Sequence, residues 1–233
     1  MRTEKTIGIL LILGAVGVLV PYTILTIIFD YPHILRQETG VILTKFHQGG
    51  NQLIWTWWAF AILGLLLLEA VVLLGQKLEQ RFYFMRWATT LGIIGLIVQI
   101  FGLMRWTFVV PVLADNYISG DEMTKTASMV AFQAVHQYGG VILGEHIGQL
   151  FTIAWTIMIS SAFMQIKVLP KWVNWLGFLA AGIYLLAQLE LFETVMPNIF
   201  VFHYAGLIGS SLWIIWLFIV GLKFRLKKVS EAG

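Results

Sequence analysis

The chain has 233 residues, 59% of them hydrophobic and 12% charged, and a mean hydropathy of +0.84, which excludes a water-soluble fold for want of polar surface. It has no cysteine, which excludes disulfides, thiolate metal ligands and Cys-held iron–sulfur clusters. The net charge of +3 and pI near 9.2 take their meaning from where the basic residues fall.

Six apolar runs, near 7–29, 53–75, 89–113, 143–165, 172–192 and 200–222, match the roughly 20 residues a helix needs to cross a hydrocarbon core of about 30 Å. The expected fold is all-α: one integral membrane domain over 1–233, a six-helix bundle with an additional amphipathic helix on its outer face. Arg2 and Lys5 precede the first run as in a secretory signal, but the run continues to Phe29 without a small-residue cleavage site and reads as an anchor.

Orientation follows from lysine and arginine. Arg2, Lys5, Lys77, Arg81, Arg86, Lys167, Lys171, Lys223, Arg225, Lys227 and Lys228 fall on one side, and only Arg36, Lys45 and Lys125 on the other. Positive charge resists translocation, so both termini are expected in the cytoplasm of a plasma-membrane protein, with 30–52 and 114–142 outside. The basic tail KFRLKK then meets anionic inner-leaflet lipid; the partner implied is the bilayer, with no nucleic acid. Trp55, Trp57, Trp58 and Tyr22 or Tyr31 suit the outer interface as anchors, and Trp87, Trp172 and Trp175 the inner one.

Pro21 and Pro111 remove helix donors in the outer halves of spans one and three, leaving the carbonyls of Gly17 and Thr107 free and the helices distorted there. Ser119 followed by Glu122 is a capping-box pattern, predicting an amphipathic helix over 120–138 with Met123, Ala127, Val130, Ala131, Ala134 and Val135 on its apolar side. That helix suits either the lipid interface or a cover over the bundle mouth. Gly139 and Gly140 allow a bend, and Gly140, Gly144 and Gly148, four residues apart, form a bare stripe suited to close helix packing.

Charges inside spans cost at least about 2.5–3.5 kcal/mol each and need compensation. Arg105, Glu145 and Glu190 share one outer layer, so an ion pair of Arg105 with Glu145 or Glu190 is expected, while Glu69 lies toward the cytoplasmic third of span two. All five histidines, His33, His47, His136, His146 and His203, fall on the outer side. His33 and His47 sit in a polar loop. His146 and His203 enter inward-running helices at matched depth, as a shared metal or the axial ligation of one haem requires, and His136 could add a third nitrogen.

The stretches DYPHILRQETGVILTKFHQGGNQLIWTWWAF (30–60), RWTFVVPVLADNY (105–117), FQAVHQYGGVILGEHIGQLFTIAW (132–155) and LPKWVNWLGFLAAG (169–182) resemble the bacterial multi-pass membrane family called domain of unknown function 4386. The resemblance runs along nearly the whole chain and implies a prokaryotic six-span membrane protein, with no activity, substrate or cofactor attached. Its motif positions here are Tyr31, Pro32, Arg105, Trp106, Pro111, Tyr117, His136, Gly144, Glu145 and His146, which adds Tyr117 to the residues of interest.

The leading functional expectation is binding or sensing of a small polar or anionic ligand in an outward-facing pocket formed by Arg105, Tyr117, His136, Glu145, His146, Glu190 and His203. Arg105 would meet the anionic group. Two other classes stand beside it. One is a membrane enzyme, either a redox subunit with haem b held by His146 and His203 or a divalent-metal hydrolase in which His136 joins them as a third ligand and Glu145 acts as base; the other is a proton-coupled transporter with Glu69 as an inner gate.

Overall fold

The computed structural model describes residues 2–226, and these form helices joined by short turns, with no strand among them. Six helical stretches are long and apolar enough to cross a membrane: Thr3–Phe29, Thr39–Glu79, Met85–Ser119, Glu122–Ile166, Lys171–Glu193 and Ala205–Leu226. The first five cover the expected spans and overrun them, while the sixth starts at Ala205, after a turn that takes up the expected 200–204. The segment 30–52, expected as an outer loop, is instead a 3-10 turn at His33–Arg36 followed by the opening turns of the second helix.

In chain order the elements are α1 (Arg2–Phe29), the 3-10 turn, α2 (Thr39–Leu63), α3 (Leu65–Glu79), α4 (Met85–Phe108), α5 (Val110–Ser119) and α6 (Glu122–Val135). A π-helical segment (His136–Ile147) then leads into α7 (Gly148–Ile166), α8 (Lys171–Leu186), α9 (Gln188–Glu193) and α10 (Ala205–Leu226). The prolines act differently from each other. Pro21 sits within an unbroken α1, whereas Pro111 lies in the first turn of α5 after a break at Val109, where its missing N–H is harmless. Gly50, with φ +53°, breaks the winding inside α2, a conformation that a residue with a Cβ would resist.

The residues divide into two compact units. The central unit comprises Gly17–Gly64 and Val98–Glu145; the terminal unit comprises the chain up to Val16, Leu65–Ile97 and the chain from His146 onward.

In the terminal unit, α8 packs on α7 and α10. α1 meets α10 at Gly8 and Gly221, where a Cβ on Gly8 would stand 2.6 Å from the Gly221 carbonyl oxygen. Small residues at a crossing let helix backbones approach in lipid, where there is no hydrophobic drive between helices. Polar side chains turn inward: Thr152, Thr156, Ser160, Asn174 and Gln188 are all buried, and Trp213 Nε1 donates to Thr156 Oγ1 at 2.9 Å. At the end of the unit Lys77 pairs with Glu4 at 2.7 Å.

In the central unit, α2, α5 and α6 pack around an aromatic core of Phe29, Phe46, Trp57, Trp106 and Phe132, each no more than 2% exposed. The helix expected over 120–138 begins one turn of logic away from its predicted cap. Asp121, not Ser119, caps α6 by accepting from the Thr124 backbone N–H at 2.9 Å, and that bond holds the Asp121 carboxyl below the usual aspartate range. Ser119 instead donates to the Asp115 carbonyl at the end of α5. The buried side of α6 also differs from the expected one. Ser128 and Phe132 face inward while Met123 and Val130 are 82% and 61% exposed, because the Phe132 ring joins the aromatic core. At Gly139 and Gly140 the helix continues, wound more loosely as the π segment.

Candidate functional site

The residues singled out in the sequence fall in both units. Arg105, Tyr117, His136 and Glu145 belong to the central unit, and His146, Glu190 and His203 to the terminal one.

In the central unit the site is built around Trp106. Its ring stacks on Trp57 (4.8 Å between centroids, 10° between planes) and on Phe46 (5.7 Å, 25°), and takes the edges of Phe29 and Phe132. The preceding residue on α4, Arg105, is 7% exposed, and its guanidinium carbon lies 5.2 Å from the Trp106 ring centre. Arg105 Nη1 donates to the Gly102 carbonyl one turn back, while Nε is buried with no acceptor.

Two glycines make room for this side chain. A Cβ on Gly140 would stand 2.5 Å from Arg105 Nη2, and one on Gly139 would stand 3.7 Å from Arg105 Cδ. The sequence reading grouped Gly140 with Gly144 and Gly148 as a stripe at spacing four. The π winding regroups them, because i→i+5 hydrogen bonding widens each turn. Gly139 and Gly144, five apart, face α4, where a Cβ on Gly102 would stand 2.7 Å from the Gly139 carbonyl oxygen and 2.8 Å from Gly144 Cα. Gly140 is left to receive the guanidinium. Gly148, in the terminal unit, packs at Gly95.

Glu145 was expected beside Arg105. Its ion pair is with Arg36 of the 3-10 turn, Nη2 to Oε2 at 3.3 Å, a cation that no periodicity marked as part of this site. Glu145 still acts on Arg105 electrostatically, opposed by Arg36. Arg105 is thus buried, while the neighbouring Arg36–Glu145 pair is partly exposed.

His136 opens the π segment. Its ring stacks on Phe132 (5.3 Å, 15°) and stands edge-on to Trp106 (6.0 Å), and both ring nitrogens are buried without a hydrogen-bond partner. Trp57 Nε1 is a third buried, unpartnered nitrogen beside the same Trp106 ring. Tyr117 lies at the edge of the aromatic core with its hydroxyl over Gly40, where an added Cβ would stand 2.5 Å away.

The terminal-unit residues are arranged otherwise. His146 Nδ1 meets Gln188 Oε1 at 2.9 Å, and Gln188 Nε2 donates to Gln149 Oε1 at 2.7 Å, so the chain of bonds makes Nδ1 the donor and leaves Nε2 the lone pair. His203 is exposed in the turn before α10 rather than inside its helix, and Glu190 Oε2 lies near Gly206 in the first turn of α10. Among the described residues no three His, Asp or Glu side chains come together as a group that could hold a metal ion. The expected ligand set of His136, His146 and His203 is thus not assembled, because His136 is wedged between aromatic rings and His146 is turned onto Gln188 and Phe192. The pair expected in a polar loop is not in one: His33 is exposed in the 3-10 turn, and His47, on α2, lies 3.7 Å from Asp115 on the surface.

What the sequence did not disclose is the role of Arg36 and of the rings Trp57, Trp106 and Phe132, which had read as interface anchors or ordinary helix residues. The signal available was the adjacency Arg105–Trp106 inside an apolar run. No curated protein and no solved structure matches this chain. The family model described as Domain of unknown function (DUF4386) matches residues 6–221, so the chain belongs to that family of multi-pass membrane proteins.

Proposed function

We propose that the protein binds, and through binding senses, a small anionic ligand at the Arg105–His136 cluster of the central unit, with that unit facing outward from the plasma membrane and both termini in the cytoplasm. The observation that carries the reading is a buried Arg105 with an unpartnered Nε, with a buried His136 and an unpartnered Trp57 indole N–H around the same Trp106 ring. Buried donors without acceptors are costly in native proteins, at about 1–3 kcal/mol each, and a carboxylate or phosphate-type oxygen is the group that satisfies several at once. The apolar rings around it raise the strength of each bond by excluding water. Outward orientation rests on the distribution of lysine and arginine.

The test is thermal stability of the detergent-purified protein against a panel of small carboxylates and inorganic phosphate. A ligand at a hundredfold excess over its Kd stabilises the folded state by about 2.7 kcal/mol, which is readily detected. Stabilisation should vanish in Arg105→Gln and persist in Lys125→Gln, since Lys125 only pairs with its helix neighbour Glu122 at 3.1 Å. A panel with no stabilising anion, or a shift that survives both Arg105→Gln and His136→Phe, refutes the proposal.

A further inference from the structure

Glu69 has no role in the cluster above, and it is exposed on α3. Among the described residues it has no hydrogen bond or ion pair. Its surroundings in sequence are the apolar run LLLLEAVVLL, in a span of mean hydropathy 2.4. At about 1.5 Å per residue, Glu69 lies about 12 Å along the helix from Lys77, whose ion pair with Glu4 marks the polar end of α3. Reaching back to that end is disfavoured, because side chains on a helix tilt toward its N-terminus, which here is toward the middle of the membrane.

The face that carries Glu69 has an order of its own. Leu65, Glu69, Val72 and Gln76 follow one another at spacings of four, three and four, and all are exposed or half-exposed, while Leu67, Ala70, Val71, Leu74 and Leu78 are buried against the chain. Alternating three- and four-residue spacing is the seam of two parallel helices that wind around each other, and a polar residue at a seam position sets their register.

We infer that this face of α3 is the contact between two copies of the chain, with the Glu69 carboxyls hydrogen-bonded to each other across a two-fold axis normal to the membrane. Depth selects the occupant. A carboxyl in hydrocarbon requires a hydrogen-bonding group at its own level, and a second copy inserted in the same topology brings its Glu69 to that level by symmetry, with Gln76 meeting Gln76 two turns on. One proton shared by the facing carboxyls leaves one donor and one acceptor, which closes the bond.

The natural chain has no cysteine, so single substitutions report contacts cleanly. In native-like membranes, Leu65→Cys and Val72→Cys should form disulfide-linked dimers under mild oxidation. Leu67→Cys, at a position 3% exposed, and Leu179→Cys, on the 54%-exposed face of α8, should not. Adding Glu69→Leu should weaken dimerisation on the order of tenfold, measured by energy transfer between labelled copies at varied protein-to-lipid ratio, and Glu69→Gln should retain it. Protein that stays monomeric in the bilayer overturns the inference, as does crosslinking through Leu179→Cys in place of the α3 face, or dimerisation indifferent to Glu69→Leu.

Discussion

Gly140→Ala is the sharpest probe of the Arg105 seat. The added methyl would stand 2.5 Å from Nη2, 2.8 Å from Cζ and 3.3 Å from Nε of Arg105, so the guanidinium must retreat by close to 1 Å to restore ordinary contact. Retreat is opposed by the hydrogen bond from Nη1 to the Gly102 carbonyl and by the Trp106 ring beneath. Overpacking against a guanidinium held on two sides, at the upper end of the usual range, costs about 2–3 kcal/mol, and replacing glycine by alanine in a helix returns about 1 kcal/mol, for a net loss of about 1–2 kcal/mol. At roughly 2–4 °C per kcal/mol for a chain of this length, the melting temperature in detergent should fall by about 2–8 °C. Gly182→Ala, where nothing lies within 4 Å of the new methyl, supplies the control and should be neutral or stabilising. In an Arg105→Met background the penalty should disappear, a coupling of about 1 kcal/mol or more between residues in contact. Equal stability of Gly140→Ala and Gly182→Ala, or strictly additive effects with Arg105→Met, refutes the claim that Gly140 is bare in order to admit Arg105.

Other outcomes follow from single interactions. Removing the Asp121 carboxylate with Asp121→Ala should fray the start of α6, seen as faster hydrogen exchange at the Thr124 amide. Because the folded Asp121 carboxyl is held below the usual aspartate range, its capping contribution is present above the unfolded value and is lost as pH falls through the folded one. Amide protection at Thr124 should therefore drop in acid in the wild type and show no such step in Asp121→Ala. Ser160→Ala deletes a fully buried hydroxyl with no partner, and should be neutral or stabilising by about 1 kcal/mol in thermal melts. Arg36→Ala breaks a pair whose side chains are 32% and 20% exposed, so after solvent screening the loss should be about 0.5–1 kcal/mol by the same assay. Alkaline-phosphatase fusions at Gly120 should be active and those at Gln80 inactive; the reverse pattern would invert the orientation.

Much of the fold was legible because hydropathy reports the one constraint that dominates here, satisfaction of backbone groups within helices. The six runs could be counted, yet their ends could not, since Thr39–Phe46 and Ala114–Ser119 are helical through turns too polar to register as membrane spans. The cap of α6 was misplaced for a related reason. Ser119 and Asp121 both precede Glu122 and both can accept, and which one does depends on where α5 stops, at Ser119 itself. Glycine spacing failed more instructively. A stripe at every fourth residue presumes α winding, and the π segment from His136 to Ile147 replaces it with contacts five apart, sending Gly139 and Gly144 to α4 and Gly140 to Arg105.

The same loosened winding explains why charge pairing could not be read from depth. In the sequence Arg105, Glu145 and Glu190 read as one outer layer, and level alone made Glu145 or Glu190 the natural partner of Arg105. Pairing depends on which way each side chain points around its helix axis, and the π segment rotates Glu145 relative to the position that α winding from α6 would give it. It points to Arg36, which comes from a turn only four residues long. That choice has a chemical consequence. With Glu145 engaged by Arg36, the buried Arg105 keeps its Nε without an acceptor. The π segment thus does two things with one change of pitch: it opens Gly140 to the guanidinium and turns aside the carboxylate that would have closed it. Arg36→Ala follows as a functional test beyond its modest effect on stability. Freed from Arg36, Glu145 can turn to Arg105 and occupy the acceptor position, so anion-induced stabilisation should fall sharply while the fold persists. Undiminished anion stabilisation in Arg36→Ala would show that Glu145 does not compete for Arg105, and that the separation of the two has no bearing on binding.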